Sequence, residues 1–320
     1  LIIRYALTTG EIMVNIVTTT QSEFDKNSFV DMLLGLKLEG NIKSIVHTEN
    51  DSLADAVVPE KINIIFGDEY ITEKLFDLSF DISPYSFFQT NSSAVEKLYL
   101  KVADYLQEIN NGNNVVYDLF SGTGTIGQIV SKYSKKVYGI ELIKEAVDKA
   151  NENAKKNMID NATFIAGDVF EKLDDIEEKP DILILDPPRA GVGEKTINKL
   201  VEYNVKNIIY VSCNPKTLVE DLKVFKKKEY ILKKATCVDM FSYTTHMETI
   251  VLLSKRGWFN MIAFQNRLEG IKPLLFSLLF FLMLLMEARF SYSLVKKYRK
   301  KYGENKLFYR DEDIFSIRKK

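Results

Sequence analysis

The sequence predicts an α/β chain whose main body is a doubly wound, mostly parallel sheet of the Rossmann-like kind, preceded by a partial α+β unit. Two observations carry the prediction. Between residues 92 and 254, short apolar strands alternate with helical stretches of roughly 10–15 residues, the rhythm of a parallel sheet covered by helices on both faces. A G-x-G-x-x-G run at Gly122, Gly124 and Gly127 directly follows one of those strands and opens a helix, which puts a ligand site at the carboxyl ends of the strands. Composition agrees. The 320 residues are 46% hydrophobic and 27% charged, with 15 Gly and 7 Pro, which gives ample core and excludes a collagenous, disordered or disulfide-stapled chain.

Residues 2–20 read as two β-rich runs joined at Thr8-Thr9-Gly10, where glycine supplies the backbone angle of a tight turn. Further short strands are expected within 62–82. The main body then reads as helix (92–109), strand (115–119), a helix after Gly127, strand (136–141), helix (143–157), strand (162–167) and a strand ending in Asp186. It continues with helix (194–204), strand (207–212), helix (216–227) and two closing strands near 230–239 and 248–253. The expected division is a partial central α+β domain over 1–82, the doubly wound domain over 83–254, and a tail over 255–320.

Charge marks the last boundary. Residues 1–254 hold 28 Lys and Arg against 38 Asp and Glu, a net −10, whereas residues 255–320 hold 15 against 6, a net +9. In the tail, the run 274–286 has one polar residue in 13 and precedes a basic stretch at 296–301. At about 1.5 Å per residue it spans about 20 Å, short of the roughly 30 Å hydrocarbon core of a bilayer. Weak membrane or partner contact through 271–301 is therefore expected ahead of a true span. The chain opens on Leu1 inside a β-rich run, with no signal-peptide pattern, and is expected to lack an N-terminal part. Two cysteines 24 residues apart, Cys213 and Cys237, with only His47 and His246 beside them, supply neither a four-ligand zinc site nor an iron–sulfur cluster. No metal is expected, and a reducing, cytoplasmic setting fits.

The acids beside the glycine run distinguish its ligand. Asp118 stands just ahead of it, where a pyrophosphate seated on the helix N-terminus would be repelled. A methionine moiety with its ammonium and sulfonium would be attracted. Glu141 closes the next strand, where a carboxylate can accept from both ribose hydroxyls, and Asp168 closes the third, near where an adenine would lie. Three acids at successive strand ends favour S-adenosyl-L-methionine over a nicotinamide dinucleotide.

Asp186-Pro-Pro-Arg189 closes the fourth strand, the prolines holding an extended backbone that presents Asp186. Ser212-Cys213-Asn214-Pro215 closes the fifth and opens a helix, whose partial positive charge is expected to favour a nucleophilic thiolate at Cys213. Cys237, in an apolar strand, reads as a packed residue. The run from Asp239 to Glu248 adds acids and His246 just ahead of the last strand. A carboxylate there could act as general base, while His246 reads as a packed or capping histidine ahead of a catalytic one.

Together these residues resemble the RNA uracil-5-methyltransferase family. Its D-P-P-R-x-G signature, followed after about sixteen residues by two aliphatics and Y-x-S-C-N-x-x-T, is matched from Asp186 through Gly191 to Ile208-Ile209-Tyr210, Ser212-Cys213-Asn214 and Thr217. Its D-x-F-P-x-T-x-H-x-E signature is matched from Asp239 to Glu248, with Ser242 in place of the proline. Residues 83–91 (SPYSFFQTN) match the S-P-x-S-F-F-Q-x-N opening of its methyltransferase domain. The resemblance covers about residues 1–254.

It implies a class I (Rossmann-like), S-adenosyl-L-methionine-dependent methyltransferase that makes 5-methyluridine in RNA, rRNA ahead of tRNA. Cys213 matches the nucleophile that adds to carbon 6 of the uracil, and Glu248 the base that removes the carbon 5 proton. Gln89, Phe120, Glu141 and Asp186 match cofactor-contacting positions, with Thr125 and Asp168 as additions. The chain departs from the family in having neither the small β-barrel RNA-binding domain nor the cysteine-rich iron–sulfur segment, so no iron–sulfur cluster is expected, and its acidic body lacks the Lys/Arg contacts that RNA binding uses. Alternatives are an RNA cytosine-5 methyltransferase and a catalytically impaired RNA-binding fragment.

Overall fold

The computed structural model describes residues 1–256 apart from 22, 53–58, 111, 242, 243, 245 and 246. The apolar and basic tail with its expected membrane or partner contact, and His246, lie outside the described residues.

The first runs form β1 (Ile2–Tyr5) and β2 (Glu11–Thr18), an antiparallel pair. Their turn is closed by a bond from the Gly10 amide to the Ala6 carbonyl, with Gly10 at φ 70°. There follow α1 (Lys26–Leu34), β3 (Asn41–Glu49) and β4 (Lys61–Gly67), and the four strands make one mixed sheet in the order β1-β2-β3-β4. Neither α1 nor β3 was expected from the sequence. The helix is short and fully buries none of its residues, with Phe29, Val30 and Leu33 on its apolar side half-buried, so its periodic signal is weak. In β3 the buried positions include Ser44, His47 and Thr48, which hide the strand behind polar letters. Two of them are partnered from β2: Thr48 Oγ1 donates to Asn15 Oδ1 at 2.9 Å, and Thr18 Oγ1 lies 2.9 Å from His47 Nε2, while Ser44 Oγ and His47 Nδ1 are buried without a hydrogen-bond partner.

A hairpin of β5 (Ile71–Leu75) and β6 (Leu78–Ile82) leads to α2 (Ser92–Ile109). The main body continues with β7 (Val115–Leu119), α3 (Thr125–Ser131), β8 (Lys136–Glu141), α4 (Lys144–Lys156), β9 (Ala162–Ala166), α5 (Val169–Lys172) and β10 (Ile182–Leu185). It closes with α6 (Glu194–Glu202), β11 (Asn207–Ser212), α7 (Pro215–Lys227), β12 (Tyr230–Val238) and β13 (Glu248–Lys255). The seven strands order as β12-β13-β11-β10-β7-β8-β9. β7 to β11 are mutually parallel, whereas β13 runs antiparallel to both its neighbours.

All four residues of β10 are buried, as expected of a strand covered on both faces. Ile182 and Ile184 face a core shared with Leu98 and Leu106 of α2, Ile129 of α3 and Ala150 of α4. Leu183 and Leu185 face the opposite core with Ile197 and Leu200 of α6 and Leu218 and Phe225 of α7. Each such side chain contributes roughly 1.5–3 kcal/mol by leaving water. Buried Glu73 fastens the first sheet to this body, accepting from the Leu7 amide (2.7 Å), the Thr8 amide (3.0 Å) and Ser92 Oγ (2.6 Å). Among the described residues no helix is long and apolar enough to cross a membrane.

Candidate active site

Because β7 to β11 are parallel, their carboxyl ends share one edge of the sheet, and the antiparallel β13 brings its amino end to the same edge. A cavity of about 910 Å³ opens there, and all eight site residues named from the sequence line it: Gln89, Phe120, Thr125, Glu141, Asp168, Asp186, Cys213 and Glu248.

The glycine run shapes one side. Phe120 adopts a left-handed φ of 64°, and Gly122 and Gly124 follow at 53° and 72°. A Cβ on Gly124 would meet the Phe164 ring at 2.5 Å. The helix was expected after Gly127, but it begins at Thr125. The reason is local: Asp118 Oδ2 accepts the Gly127 amide at 2.8 Å, satisfying a first-turn donor that otherwise has no partner. The other carboxylate oxygen, Asp118 Oδ1, is buried with no hydrogen-bond partner, as is Ser121 Oγ. Burial, reinforced by Glu141, pushes the Asp118 pKa up to about 7 against the Gly127 hydrogen bond.

Glu141 links the strand end to this loop, its Oε2 accepting the Gly122 amide and its Oε1 the Ile143 amide, each at 3.0 Å. Asp168 caps α5, accepting the Phe170 amide at 2.8 Å. Leu142 and Ile143, 65% and 56% exposed, and Val169 offer an apolar wall beside these two acids. An unpartnered buried carboxylate oxygen, strand-end acids with spare acceptor capacity and an adjoining apolar wall fit a cationic, ribose-bearing nucleoside.

Gln89 and Phe87 come from the segment 83–91, which the first sheet holds in place. Arg4 donates from Nε to the Pro84 carbonyl at 3.1 Å and from Nη2 to the Ser86 carbonyl at 2.9 Å, and Asn15 Nδ2 donates to Tyr85 Oη at 2.9 Å. At the far end of the segment, Asn91 caps α2 and donates to the Met240 carbonyl at 3.1 Å. Sequence reasoning gave no role to Arg4, which reads as one polar letter in a β-rich run.

On the opposite side are Asp186, Arg189, Cys213 and Glu248. The expected thiolate at Cys213 is corrected by its surroundings. The helix does start at Pro215, but its cap is Asn214, whose side chain already accepts the Lys216 amide at 3.2 Å. Burial first, and then the charges of Glu248 and Asp186, push the Cys213 thiol up, with Arg189 pulling the other way. Burial likewise raises Glu248, which is 4% exposed, against the pull of Arg189. Asp186 is raised by burial and by Glu248 and Asp118. Cys237 stands apart on β12, its Sγ 3.7 Å from Thr249 Oγ1. Among the described residues no group of three or more His, Cys, Asp or Glu suits a metal ion.

The seven-stranded sheet, with its antiparallel final pair and a cavity over the carboxyl ends, is that of a class I methyltransferase. The profile described as tRNA (uracil-5-)-methyltransferase matches residues 52–256, and the chain belongs to that family. An RNA methyltransferase of Clostridium acetobutylicum is 50% identical over 256 residues, which are 80% of this chain and 56% of that protein. One from Clostridium tetani is 49% identical over the same shares. The crystal structure of Pyrococcus abyssi tRNA (uracil-54, C5)-methyltransferase in complex with S-adenosyl-L-homocysteine superposes with a TM-score of 0.64 at 31% identity, over 78% of this chain and 58% of that one. The chain thus spans just over half the length of the relatives it matches.

Proposed function

We propose that this chain is the methyltransferase portion of a cytoplasmic enzyme that methylates carbon 5 of a uridine in RNA, using S-adenosyl-L-methionine and a covalent Cys213 adduct. The observation that carries the reading is the meeting, over one cavity, of a thiol and a buried carboxylate on adjoining strand ends with the glycine run and its acids. The cofactor supplies an electrophilic methyl group on a sulfonium. Asp118 Oδ1 and Ser121 Oγ would gain their missing partner from its methionine portion, and Glu141 would accept from the ribose hydroxyls. Gln89, Phe120, Thr125, Asp168 and Asp186 complete the proposed binding set.

Carbon 5 of uracil is a poor nucleophile until something adds at carbon 6. Cys213 Sγ, as thiolate, forms a bond to carbon 6, and the displaced pair moves through carbon 5 onto the carbonyl oxygen as an enolate. Carbon 5 would then be able to take the methyl group, with the pair of the broken methyl–sulfur bond left on the cofactor's sulfur, which departs as a neutral thioether. Glu248 removes the carbon 5 proton, the pair reforms the double bond, and the Sγ–carbon 6 bond breaks to return the thiolate. The thiol's raised pKa means that its proton must leave as substrate and cofactor arrive, and Arg189 is the cation at hand to favour that step. Reaching that face of the base needs the uridine turned out of its stack.

Covalent capture tests the reading. Transcripts of rRNA and tRNA carrying 5-fluorouridine, which has no carbon 5 proton to lose, are incubated with protein and S-adenosyl-L-methionine. A cofactor-dependent adduct stable on a denaturing gel, absent with Cys213→Ala, supports it; the sequence expectation is capture on rRNA ahead of tRNA. Folded protein that binds the cofactor yet captures neither contradicts it.

A further inference from the structure

Asp221 lies on α7 with 5% of its surface exposed, and its carboxylate is hydrogen-bonded on both oxygens. Oδ2 accepts the Val192 amide at 2.7 Å and Tyr210 Oη at 2.6 Å, and Oδ1 accepts the Gly193 amide at 3.1 Å. Gly191 and Gly193 take left-handed φ of 80° and 79°, and a Cβ on Gly191 would come within 2.6 Å of Asp221 Oδ2. The loop after Asp186-Pro187-Pro188-Arg189 is therefore folded tightly onto this carboxylate. The same helix holds the loop a second time, because Asn214 Nδ2 and Thr217 Oγ1 both donate to the Arg189 carbonyl, at 3.0 and 3.1 Å. The loop is thus attached to the helix that starts two residues beyond Cys213 at Arg189 itself and again at Val192 and Gly193. Tyr210, which donates to Asp221, lies on β11, the strand that ends at Ser212.

We propose that Asp221 is a positioning residue for the nucleophile: by clamping the Arg189 loop to α7 and β11, it aims the Arg189 guanidinium at the Cys213–Glu248 pair. Asp221 lies outside every motif read from the sequence, where it passes for a solvated helix acid. Among the described residues, the charged groups that act on Cys213 and line the same cavity are Glu248 from β13 and Asp186 and Arg189 from the loop after β10. Two of these three are acids, so the thiolate depends on Arg189 being held in place. A short salt-bridge partner would not achieve this as firmly as backbone attachment, because a guanidinium on a free loop is readily drawn to solvent and screened.

The inference rests on Cys213 as nucleophile but needs no RNA to test. In a Cys237→Ser background, the rate of Cys213 alkylation by iodoacetamide is followed against pH for Asp221→Asn, Thr217→Val, Arg189→Gln and the double variant Asp221→Asn/Arg189→Gln. Circular dichroism checks folding. Losing a nearby negative charge would by itself move the alkylation midpoint down; losing the aim of Arg189 moves it up. The expectation is an upward movement in Asp221→Asn, with alkylation about three- to tenfold slower below the midpoint. Thr217→Val should move the same way by less, and the double variant no further than Arg189→Gln alone. An unmoved or lowered midpoint in folded Asp221→Asn overturns the proposal, as does additivity in the double variant. Should Asp221→Asn fail to fold, an unmoved midpoint in Thr217→Val overturns it. Because alkylation reads the thiol directly, these outcomes stand whether or not 5-fluorouridine RNA is captured.

Discussion

Cys213 and Glu248 occupy opposing positions at the open end of the β11–β13 ladder. The last pair of that ladder is Ser212 with Thr249, and one step further along both strands lie Cys213 on one and Glu248 on the other. Thirty-five positions separate them in sequence, and the antiparallel return of β13 removes that separation. The proposed base is the first residue of β13 and the proposed nucleophile directly follows the last residue of β11, so paired strands fix both positions, which suits groups that must address neighbouring carbons of one ring.

From that pairing follows a difference between two variants. Cys213→Ala should abolish both adduct and turnover. Glu248→Gln should leave the thiol able to add but remove the base that permits elimination, so a covalent protein–RNA complex should accumulate on ordinary uridine RNA. A denaturing gel with labelled RNA reads both; Glu248→Gln behaving like Cys213→Ala, with no complex, would contradict the assignment.

Asp118 makes stability of the cofactor-free protein depend on pH. Its pKa is raised from the usual carboxylate range to about 7 in the folded chain, so the folded state holds a proton that the unfolded chain has released. Stability should therefore fall as pH rises from about 4 through about 7, and level off above. Asp186 and Glu248, also raised, push in the same direction. Asp118→Asn keeps an acceptor for the Gly127 amide and should flatten the slope of urea midpoint against pH between 5 and 7.5; an unchanged slope would show that Asp118 is ionised throughout.

Arg4→Ala removes both bonds that hold the Pro84 and Ser86 carbonyls. The segment carrying Gln89 should loosen, seen as faster amide exchange over residues 84–90 and a several-fold weaker calorimetric affinity for S-adenosyl-L-methionine. Faster exchange with unchanged affinity would take Gln89 out of the proposed binding set.

Gly139 sits under the Phe164 ring, where an added Cβ would come within 2.2 Å of Phe164 Cδ1. Gly139→Ala should destabilise by about 1–3 kcal/mol through overpacking, read from the urea midpoint.

How much of this was legible in the sequence depended on where each residue's partners lie. β7, β8 and β11 are read to the residue because each is a short, mostly apolar and β-branched run set between polar or glycine-bearing loops and helical stretches. The acids at strand ends were legible for the same reason, since each stands next to its own strand. β3 was hidden because its interior includes Ser44, His47 and Thr48, the last two partnered from β2, and α1 because it is short and fully buries none of its residues. The thiolate expected at Cys213 came from one neighbour, the helix terminus; the two acids that oppose it arrive from Asp186 and Glu248, which no local reading brings together. Arg4 and Asp221 were illegible altogether, as their bonds reach 82 and 29 positions along the chain.

The most direct test of the account is tritium release from RNA labelled at carbon 5 of uridine, with and without S-adenosyl-L-methionine, using Cys213→Ala as control. The account predicts release that requires the cofactor and is abolished by the substitution. Folded, cofactor-binding protein that transfers methyl groups to RNA without releasing tritium would contradict it, because carbon 5 would then not be the methylated atom.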